Sequence, residues 1–492
     1  MDASHLNPES LQTVQQLIIP TVMIPLTAIT VALSMLASFI AGLFGLSLKT
    51  EGPKRLLEVL LKPRVLLSGL VLNLLVLGGI AVYKHVKNRP VMLWRIERTA
   101  RHEGTPSDRM YENYSSVQSE FAKPPVSSTA ALGKQLHFAW VQKLPKGAFR
   151  APVFSGGSAF VGTFDGHVYE LDALTGNQLR RFFVGTPVTP EIMIDEGVLY
   201  VGEGVHDTHS ARIYAFDLAT GLLKNSYATR GHTEGQPVMA SHKNEKTMFV
   251  VAGSDGIHAV NPLDMKLRWK ANDGHIDASV RVAGGRVFAG TGREKGDTEK
   301  NRSFAVAYDF SSGERLWKME LPASSWMSAV LWKEEVCFVY GEIYFDSDLG
   351  GVACFRQDNG LPTQTFNLGV PQTTMPLIVD DVMYSTDKNG SVCAIELSQR
   401  NLKWCQKVGQ AKSINYASPV YSAQLNALVY ATMSNGLCLI DVDSGMVRMN
   451  ARFEELSSEL SGFKSIYAPV AVFEELFLVA DAKGNVALFR SF

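Results

Sequence analysis

The sequence carries almost no net charge. Its 492 residues include 47 Lys and Arg against 48 Asp and Glu, which leaves a formal net charge of −1. Proteins that bind nucleic acid concentrate positive charge on the surface that meets the phosphates. The charge balance therefore argues against nucleic acid as a partner.

Short catalytic motifs are also missing. The chain has no P-loop, no dinucleotide-binding fingerprint and no nucleophile elbow of the kind that accompanies a Ser/His/Asp set. These absences favour a chain without catalytic residues. We also expect no bound cofactor and no resident metal ion, for the reasons given below.

Two long segments, 17–48 and 65–83, contain no charged residue. Each exceeds the roughly 18 apolar residues that indicate a membrane-spanning helix. The first is too long for a signal peptide and has no basic region before it. We expect a polar segment at 1–16, two transmembrane helices at 17–48 and 65–83, and a short basic loop at 49–64 between them.

The basic residues around these segments predict the orientation. The first 16 residues contain no Lys or Arg, whereas five lie in 49–64 and six in 84–101. Summed over both helices, the numbers of Lys and Arg on the two sides of the membrane are nearly equal. The first helix usually determines the orientation, and basic loops stay in the cytoplasm. We expect a two-pass protein of a bacterial inner membrane, with everything after residue 83 in the periplasm.

Residues 84–133 are expected to form a juxtamembrane helix and a linker. Met92, Leu93 and Trp94 are followed by arginines, a mixture typical of an interfacial helix, although a continuation of the second transmembrane helix is an equal alternative. Pro90 favours a break between the two helices. The rest of the segment is rich in Ser, Pro and polar residues, as linkers are.

One hairpin pattern recurs eight times in the remainder. In the first copy, two β-rich runs flank Asp165-Gly166, which is a strong turn signal. The copies follow one another at about 40 to 50 residues, the period of four-stranded propeller blades. A short strand precedes each copy, and an outer strand follows each of the first seven. In three blades that outer strand carries a tryptophan: Trp269, Trp317 and Trp404.

The eighth copy has no outer strand, whereas residues 136–140, which end in Trp140, form an extra strand before the first copy. Pairing of these two ends would remove both sheet edges. We therefore predict a mainly β fold over 134–492. It is a closed eight-bladed propeller of four-stranded antiparallel blades, in which the N-terminal strand completes the last blade.

The repeat resembles that of the PQQ-like (quinoprotein-type) β-propeller family. The best matches are the segment 215–221, with sequence AFDLATG, and the segment 309–313 with Trp317. The family includes quinone-dependent alcohol dehydrogenases and the non-catalytic propeller subunit of the outer-membrane β-barrel assembly machine. The resemblance implies the fold and leaves both kinds of function as candidates.

The dehydrogenases of this family hold a quinone and a divalent cation, and a disulfide between adjacent cysteines clamps the quinone. This chain has five cysteines and no adjacent pair. Its repeated aspartates lie in predicted turns, where hydrogen bonds to the backbone explain them. The resemblance therefore points to the non-catalytic branch.

Four of the cysteines are candidates for disulfides. Cys393 and Cys405 lie symmetrically about a turn, and Cys337 and Cys354 flank the hairpin of the fifth blade. Cross-strand neighbours can meet the distances that a disulfide needs, and an oxidising compartment permits it. Buried reduced cysteines are the alternative. Cys438 has no evident partner.

Three hairpin loops are longer than the others and are expected to lie on one rim of the ring, where repeat proteins usually bind partners. His206, Asp207 and His209 of the first loop could bind a metal ion, but a flexible loop with three weak ligands is more simply interpreted as a solvated loop. The exposed aromatic residues of the third loop are the better candidates for partner contacts. The candidate partner-binding residues of the three loops are His206, Asp207, His209, Arg293, Lys295, Tyr344 and Phe345.

The leading functional hypothesis is a non-catalytic, membrane-anchored assembly subunit. Its helices would contact the lipid bilayer and other membrane subunits, and its propeller would be a periplasmic platform for periplasmic or membrane proteins. One alternative is a membrane-tethered PQQ-dependent dehydrogenase. Another is a ligand sensor, for which the cytoplasmic loop at 49–64 is too short to serve as an output domain.

Overall fold

Eight four-stranded sheets follow one another along the part of the chain that the structure describes. The structure is a computed structural model, and it describes residues 136–185, 187–188, 190–204, 209–294, 302–343, 347–408, 416–432 and 436–491. The predicted polar segment, transmembrane helices, basic loop and linker at 1–133 lie outside these residues. Among the described residues, no helix combines the length and the hydropathy needed to cross a bilayer.

The strands are numbered in chain order, and each blade runs from its inner to its outer strand. The described part of the chain begins with β1 (Leu136–Lys143). Blade 1 contains β2 (Val153–Ser155), β3 (Ser158–Gly162), β4 (His167–Asp172) and β5 (Gln178–Phe183). Blade 2 contains β6 (Met193–Asp195), β7 (Val198–Gly202), β8 (Ala211–Asp217) and β9 (Leu223–Thr229). Blade 3 contains β10 (Val238–His242), β11 (Glu245–Val251), β12 (Ile257–Val260) and β13 (Leu267–Ala271). Blade 4 contains β14 (Arg281–Ala283), β15 (Arg286–Gly290), β16 (Ser303–Asp309) and β17 (Arg315–Leu321).

The second half of the ring repeats this order. Blade 5 contains β18 (Val330–Trp332), β19 (Glu335–Gly341), β20 (Gly350–Arg356) and β21 (Pro362–Asn367). Blade 6 contains β22 (Leu377–Val379), β23 (Val382–Thr386), β24 (Ser391–Glu396) and β25 (Asn401–Lys407). Blade 7 contains β26 (Val420–Ser422), β27 (Ala427–Thr432), β28 (Gly436–Asp441) and β29 (Val447–Arg452). Blade 8 contains β30 (Ala471–Phe473), β31 (Leu476–Ala480) and β32 (Asn485–Ser491). A short helix, α1 (Phe453–Leu456), and a 3-10 helix, Ser458–Leu460, precede blade 8.

The strand that precedes the first blade completes the last one. β1 pairs antiparallel with β32, from Leu136 opposite Ser491 to Lys143 opposite Asn485. The order in this sheet is β1-β32-β31-β30, whereas each of the other seven sheets contains four consecutive strands. This confirms the eight-bladed propeller predicted from the sequence, including its closing strand.

Neighbouring blades pack through apolar clusters. The described residues contain eight such clusters, one between each pair of successive blades around the ring. The cluster between blades 8 and 1 joins Leu478 and Leu488 to Tyr169 and Leu171. Because the middle strands of each sheet are covered on both faces, they are almost continuously buried, for example β7 and β8, whereas outer strands such as β25 are largely exposed. Burial of this apolar surface is the main stabilising contribution.

Turn chemistry explains the repeated aspartates. Asp172 Oδ1 accepts hydrogen bonds from the backbone nitrogens of Leu174 (3.1 Å) and Thr175 (2.9 Å). Asp217, Asp309 and Asp441 make the equivalent bonds in later blades. These aspartates end the third strand of a blade and start its return, so their role is structural.

The four predicted outer-strand tryptophans, Trp140, Trp269, Trp317 and Trp404, each join their own blade to the next. Each indole lies against the glycine of the neighbouring blade's turn, where the positive φ of that glycine brings the backbone close. Three of the indole nitrogens donate to backbone carbonyls of the next blade: Trp140 to Ala173 (3.2 Å), Trp269 to Phe310 (2.8 Å) and Trp317 to Gln357 (3.1 Å).

Candidate functional site

The strand order places the loops on two opposite faces of the ring. The loops between the second and third strands of each blade lie on the same face as the connections between successive blades, because antiparallel neighbours alternate in direction. We call this the loop face. Its three longest hairpin loops lie at 203–210, 291–302 and 342–349, in blades 2, 4 and 5.

Five of the seven candidate partner-binding residues lie outside the described residues. They are His206, Asp207, Lys295, Tyr344 and Phe345. His209 is described and is exposed at the end of the blade 2 loop. Arg293 is described as well, and it lies at the base of the blade 4 loop.

Arg293 connects the longest loop to the next blade. Its Nη2 and Nε atoms lie 2.6 Å and 3.1 Å from Oε1 of Glu342 in blade 5. Glu342 is only 2% exposed. Its carboxylate also accepts hydrogen bonds from the backbone nitrogen (3.1 Å) and the hydroxyl (2.9 Å) of Ser324. A buried carboxylate with this many donors is compensated for its lost hydration. The ion pair therefore fixes the loop base, which the sequence interpretation of Arg293 as a partner contact did not foresee.

A second cluster lies between blades 3 and 4 on the loop face. His232 Nε2 and His275 Nε2 lie 2.8 Å and 2.7 Å from the same oxygen, Oδ1 of Asp277. The two histidines are only 5% and 7% exposed. They occupy equivalent places in the connections that enter blades 3 and 4, where each follows a glycine. Because the same position recurs in two successive blades, the two imidazoles lie side by side.

The far nitrogen of His275 has partners of its own. Ser254 Oγ lies 2.8 Å from His275 Nδ1, and the carboxylate of Glu294 contacts the same nitrogen. Ser254 also donates to Glu294. Because Glu294 follows Arg293 in the chain, the base of the blade 4 loop is joined backward to blade 3 and forward to blade 5.

The protonation of this cluster follows from its contacts. Burial alone would lower the pKa of both histidines, but hydrogen bonds and charge attraction from Asp277 outweigh burial and raise the pKa of His232 and His275. Burial likewise opposes the charge of Asp277, yet the two imidazoles hold its pKa well below the ordinary range. Negative charge and cationic or metal-binding nitrogens therefore coexist in one small volume.

Charged side chains also lie along the axis of the ring. Arg281, the first residue of the inner strand β14, places Nη2 3.1 Å from Sδ of Met375, which precedes the inner strand of blade 6. Burial lowers the pKa of Arg281 to about 10, against the opposing charge of Glu191. Burial raises the pKa of Glu191, although the charges of Arg150 and Arg281 oppose the shift. Groups of both charge types thus lie near the axis.

The four candidate disulfide cysteines are paired in the structure. Cys337 is bonded to Cys354 between β19 and β20, and Cys393 to Cys405 between β24 and β25. Each pair lies directly opposite across two antiparallel strands. Cys438 is a free, buried thiol, and burial raises its pKa to about 12.

Sequence reasoning missed the cluster of His232, His275 and Asp277. The available signal was the Gly-His pair at equivalent positions of two consecutive blades, 231–232 and 274–275. Glu342 was also missed, since nothing in the local sequence separates a buried loop glutamate from an exposed one.

Comparison with known families identifies the propeller. The family described as "Outer membrane protein assembly factor BamB" matches residues 128–294 and 301–491. The chain belongs to this family. The resemblance to PQQ-like propellers drawn from the repeat is thereby confirmed. A comparison with curated protein sequences finds no match.

Solved structures of BamB-like propellers and of other propellers share this fold. BamB from Moraxella catarrhalis is 12% identical, with 72% of this chain and 100% of that chain covered and a TM-score of 0.54. A europium-containing methanol dehydrogenase is 10% identical, with 72% and 93% covered and a TM-score of 0.56. The computationally designed Ika8 protein is 15% identical, with 73% and 100% covered and a TM-score of 0.55. At such identities the likeness concerns the fold alone.

Proposed function

We propose that this protein is a non-catalytic assembly subunit of an inner-membrane complex, and that the loop face of its propeller binds protein partners in the periplasm. Segments 17–48 and 65–83 would anchor it in the lipid bilayer and contact other membrane subunits. Membership of the family described as an outer membrane protein assembly factor supports a role in binding other proteins.

The observation that carries the proposal is the arrangement of the three long loops. All three lie on one face, and two of them belong to the adjacent blades 4 and 5. The base of the blade 4 loop is held on both sides, through Glu294 to His275 and through Arg293 to Glu342. Long loops on a rigid base are the usual form of a protein-binding surface, because the base limits the entropy lost on binding.

The cysteine arrangement supports a non-catalytic role. The quinone clamp of the PQQ-like dehydrogenases is a disulfide between adjacent residues, whereas the two disulfides here join cysteines 17 and 12 positions apart. Near the axis, the negative charge of Glu191 is attracted by the positive charges of Arg150 and Arg281. The lack of an adjacent-cysteine clamp supports a non-catalytic propeller.

The same disulfides support a periplasmic propeller. Disulfides persist in oxidising compartments and are rare in the reducing cytosol. A location outside the cytoplasm agrees with the orientation that the basic residues around the two apolar segments predict.

Site-specific photo-crosslinking in native membranes tests the proposal. A photoreactive residue replaces the exposed His209 on the loop face. The matched control replaces Leu263, which is 90% exposed in a turn on the opposite face. We expect position 209 to capture one or a few defined proteins and position 263 to capture none of them. Equal capture from both faces, or capture from neither, would overturn the proposed binding surface.

A further inference from the structure

We infer that His232, His275 and Asp277 form a binding site for a divalent transition-metal ion, with Zn²⁺ as its simplest occupant. The ligand atoms of these three residues all lie within 4.8 Å of one another. This site is distinct from the histidine-containing loop of blade 2, and it goes beyond the proposed binding of protein partners.

The spacing suits a small ion. In a tetrahedral zinc site with bonds of about 2.0–2.1 Å, neighbouring ligand atoms are roughly 3.3 Å apart. The two Nε2 atoms now lie 2.8 Å and 2.7 Å from Asp277 Oδ1. An outward shift of roughly 0.5 Å in each contact would therefore make room for the ion.

The choice of ligands defines the class of metal. Two imidazoles with one carboxylate suit Zn²⁺, Co²⁺, Ni²⁺ or Fe²⁺, whereas Ca²⁺ and Mg²⁺ prefer oxygen ligands alone. Three protein ligands leave at least one coordination position for water.

The surroundings of His275 are those of a metal ligand. Ser254 and Glu294 contact its Nδ1 atom and thereby orient Nε2 towards Asp277. Histidines that bind metals usually make such a second contact, often to a carboxylate, which fixes the ring and increases its basicity. Glu234 and Glu294 add negative charge that favours cations near the two histidines.

Two of the ligands, His275 and Asp277, are carried by a braced segment of backbone. The connection between blades 3 and 4 pairs with Gly253 on one side, through Ile276, and with Gly292 on the other, through His275. Gly253 also lies so close to His232 that an added Cβ would come within 2.6 Å of the imidazole. Such support preorganises ligands, so less entropy is lost when the ion binds. An ion here would join blade 3 to blade 4.

Metal binding by the purified full chain in detergent is the test. The protein is treated with a chelator and then titrated with Zn²⁺ or Co²⁺ in a calorimeter. We expect one ion per chain, and at least a tenfold weaker affinity in Asp277→Asn and in His275→Gln. His209→Ala is the control, because it removes a histidine of the loop face outside the cluster. Undiminished binding in the cluster variants, or loss of binding in the control alone, would overturn the assignment.

A second measurement covers variants that fail to fold. The X-ray absorption spectrum of the zinc-loaded wild-type chain reports the ligands directly. A first shell with two imidazole nitrogens and carboxylate oxygen supports the site. A shell without histidine, or a chain that binds no ion, overturns it.

Discussion

The indole nitrogen of Trp140 donates a hydrogen bond to the backbone carbonyl of Ala173, at 3.2 Å. This bond joins the closing strand of blade 8 to the first blade and so connects the two ends of the propeller. Trp140→Ala removes a buried indole, and we expect it to cost about 3–5 kcal/mol of unfolding free energy. Urea denaturation measures the loss. Leu263→Ala, at a 90% exposed position, is the control. If both variants lose the same small amount of unfolding free energy, Trp140 does not hold the propeller closed.

The glycine beneath this indole gives a sharper test. Gly176 has φ +75°, and a Cβ there would lie 2.6 Å from Trp140. Gly197 has nearly the same backbone conformation, φ +73°, but nothing lies within 4 Å of its Cβ position. The cost of left-handed backbone, about 1–2 kcal/mol, is common to both alanine variants. We expect Gly176→Ala to lower the melting temperature clearly further than Gly197→Ala, and equal losses would contradict the packing described here.

The pair formed by Arg293 and Glu342 predicts a large effect at the loop base. Glu342→Gln leaves the guanidinium without its buried counterion, and breaking such a pair costs about 3–5 kcal/mol. Glu320 forms an exposed ion pair with Arg302, and exposed pairs are worth at most about 1 kcal/mol. Glu342→Gln should therefore lower the free energy of unfolding more than Glu320→Gln does. Added salt should change the loss in Glu342→Gln less than the loss in Glu320→Gln. A cost for Glu342→Gln no greater than that for Glu320→Gln would show that the loop is not fixed there.

Asp165 predicts a pH dependence. Burial opposes its charge, but hydrogen bonds from His167, Thr163 and Tyr169 outweigh burial and lower its pKa from 3.8 to about 2. Because the folded pKa is depressed, the carboxylate stabilises the fold above the unfolded pKa, and this contribution is lost as the pH falls through the folded value. At pH 6 we expect the free energy of unfolding, measured by urea denaturation, to be about 1 kcal/mol higher for wild type than for Asp165→Asn, after allowance for solvent screening. This difference should shrink between pH 4 and pH 2. A difference that stays constant with pH would contradict this assignment.

The two disulfides should differ in accessibility. Cys405 is exposed on the outer strand of blade 6, whereas Cys337 and Cys354 are fully buried. Brief reduction of the native protein followed by alkylation should therefore label Cys393 and Cys405 first, as peptide mass spectrometry would show. Labelling of all four cysteines before any reduction would mean that they are free thiols in the cell, and it would remove an argument for a periplasmic propeller.

Much of the fold could be predicted because it depends on local spacing. The turn that begins at Asp172 and the outer strand that ends near Trp269 recur at fixed distances, so one blade predicts the next. Trp140 was recognised as the missing outer-strand residue by the same spacing. Each of these features involves residues near in sequence or in equivalent repeats.

The candidate sites depend on contacts that spacing does not encode. Arg293 was predicted to contact another protein, and its ion pair with Glu342, 49 residues further along the chain, was not foreseen. His232 and Asp277 are 45 residues apart, and they meet because blades 3 and 4 are neighbours in the ring. Such contacts require the angle between successive blades, which a single sequence does not specify.

The most direct test of the proposed function is purification of the full-length protein from native membranes in mild detergent, followed by native mass spectrometry and absorption spectroscopy of the same sample. The account predicts a defined complex in which other polypeptides accompany this chain in a fixed ratio, and no quinone chromophore. A chain recovered alone, or one that carries a stoichiometric quinone with its divalent or lanthanide cation, would contradict a non-catalytic assembly subunit.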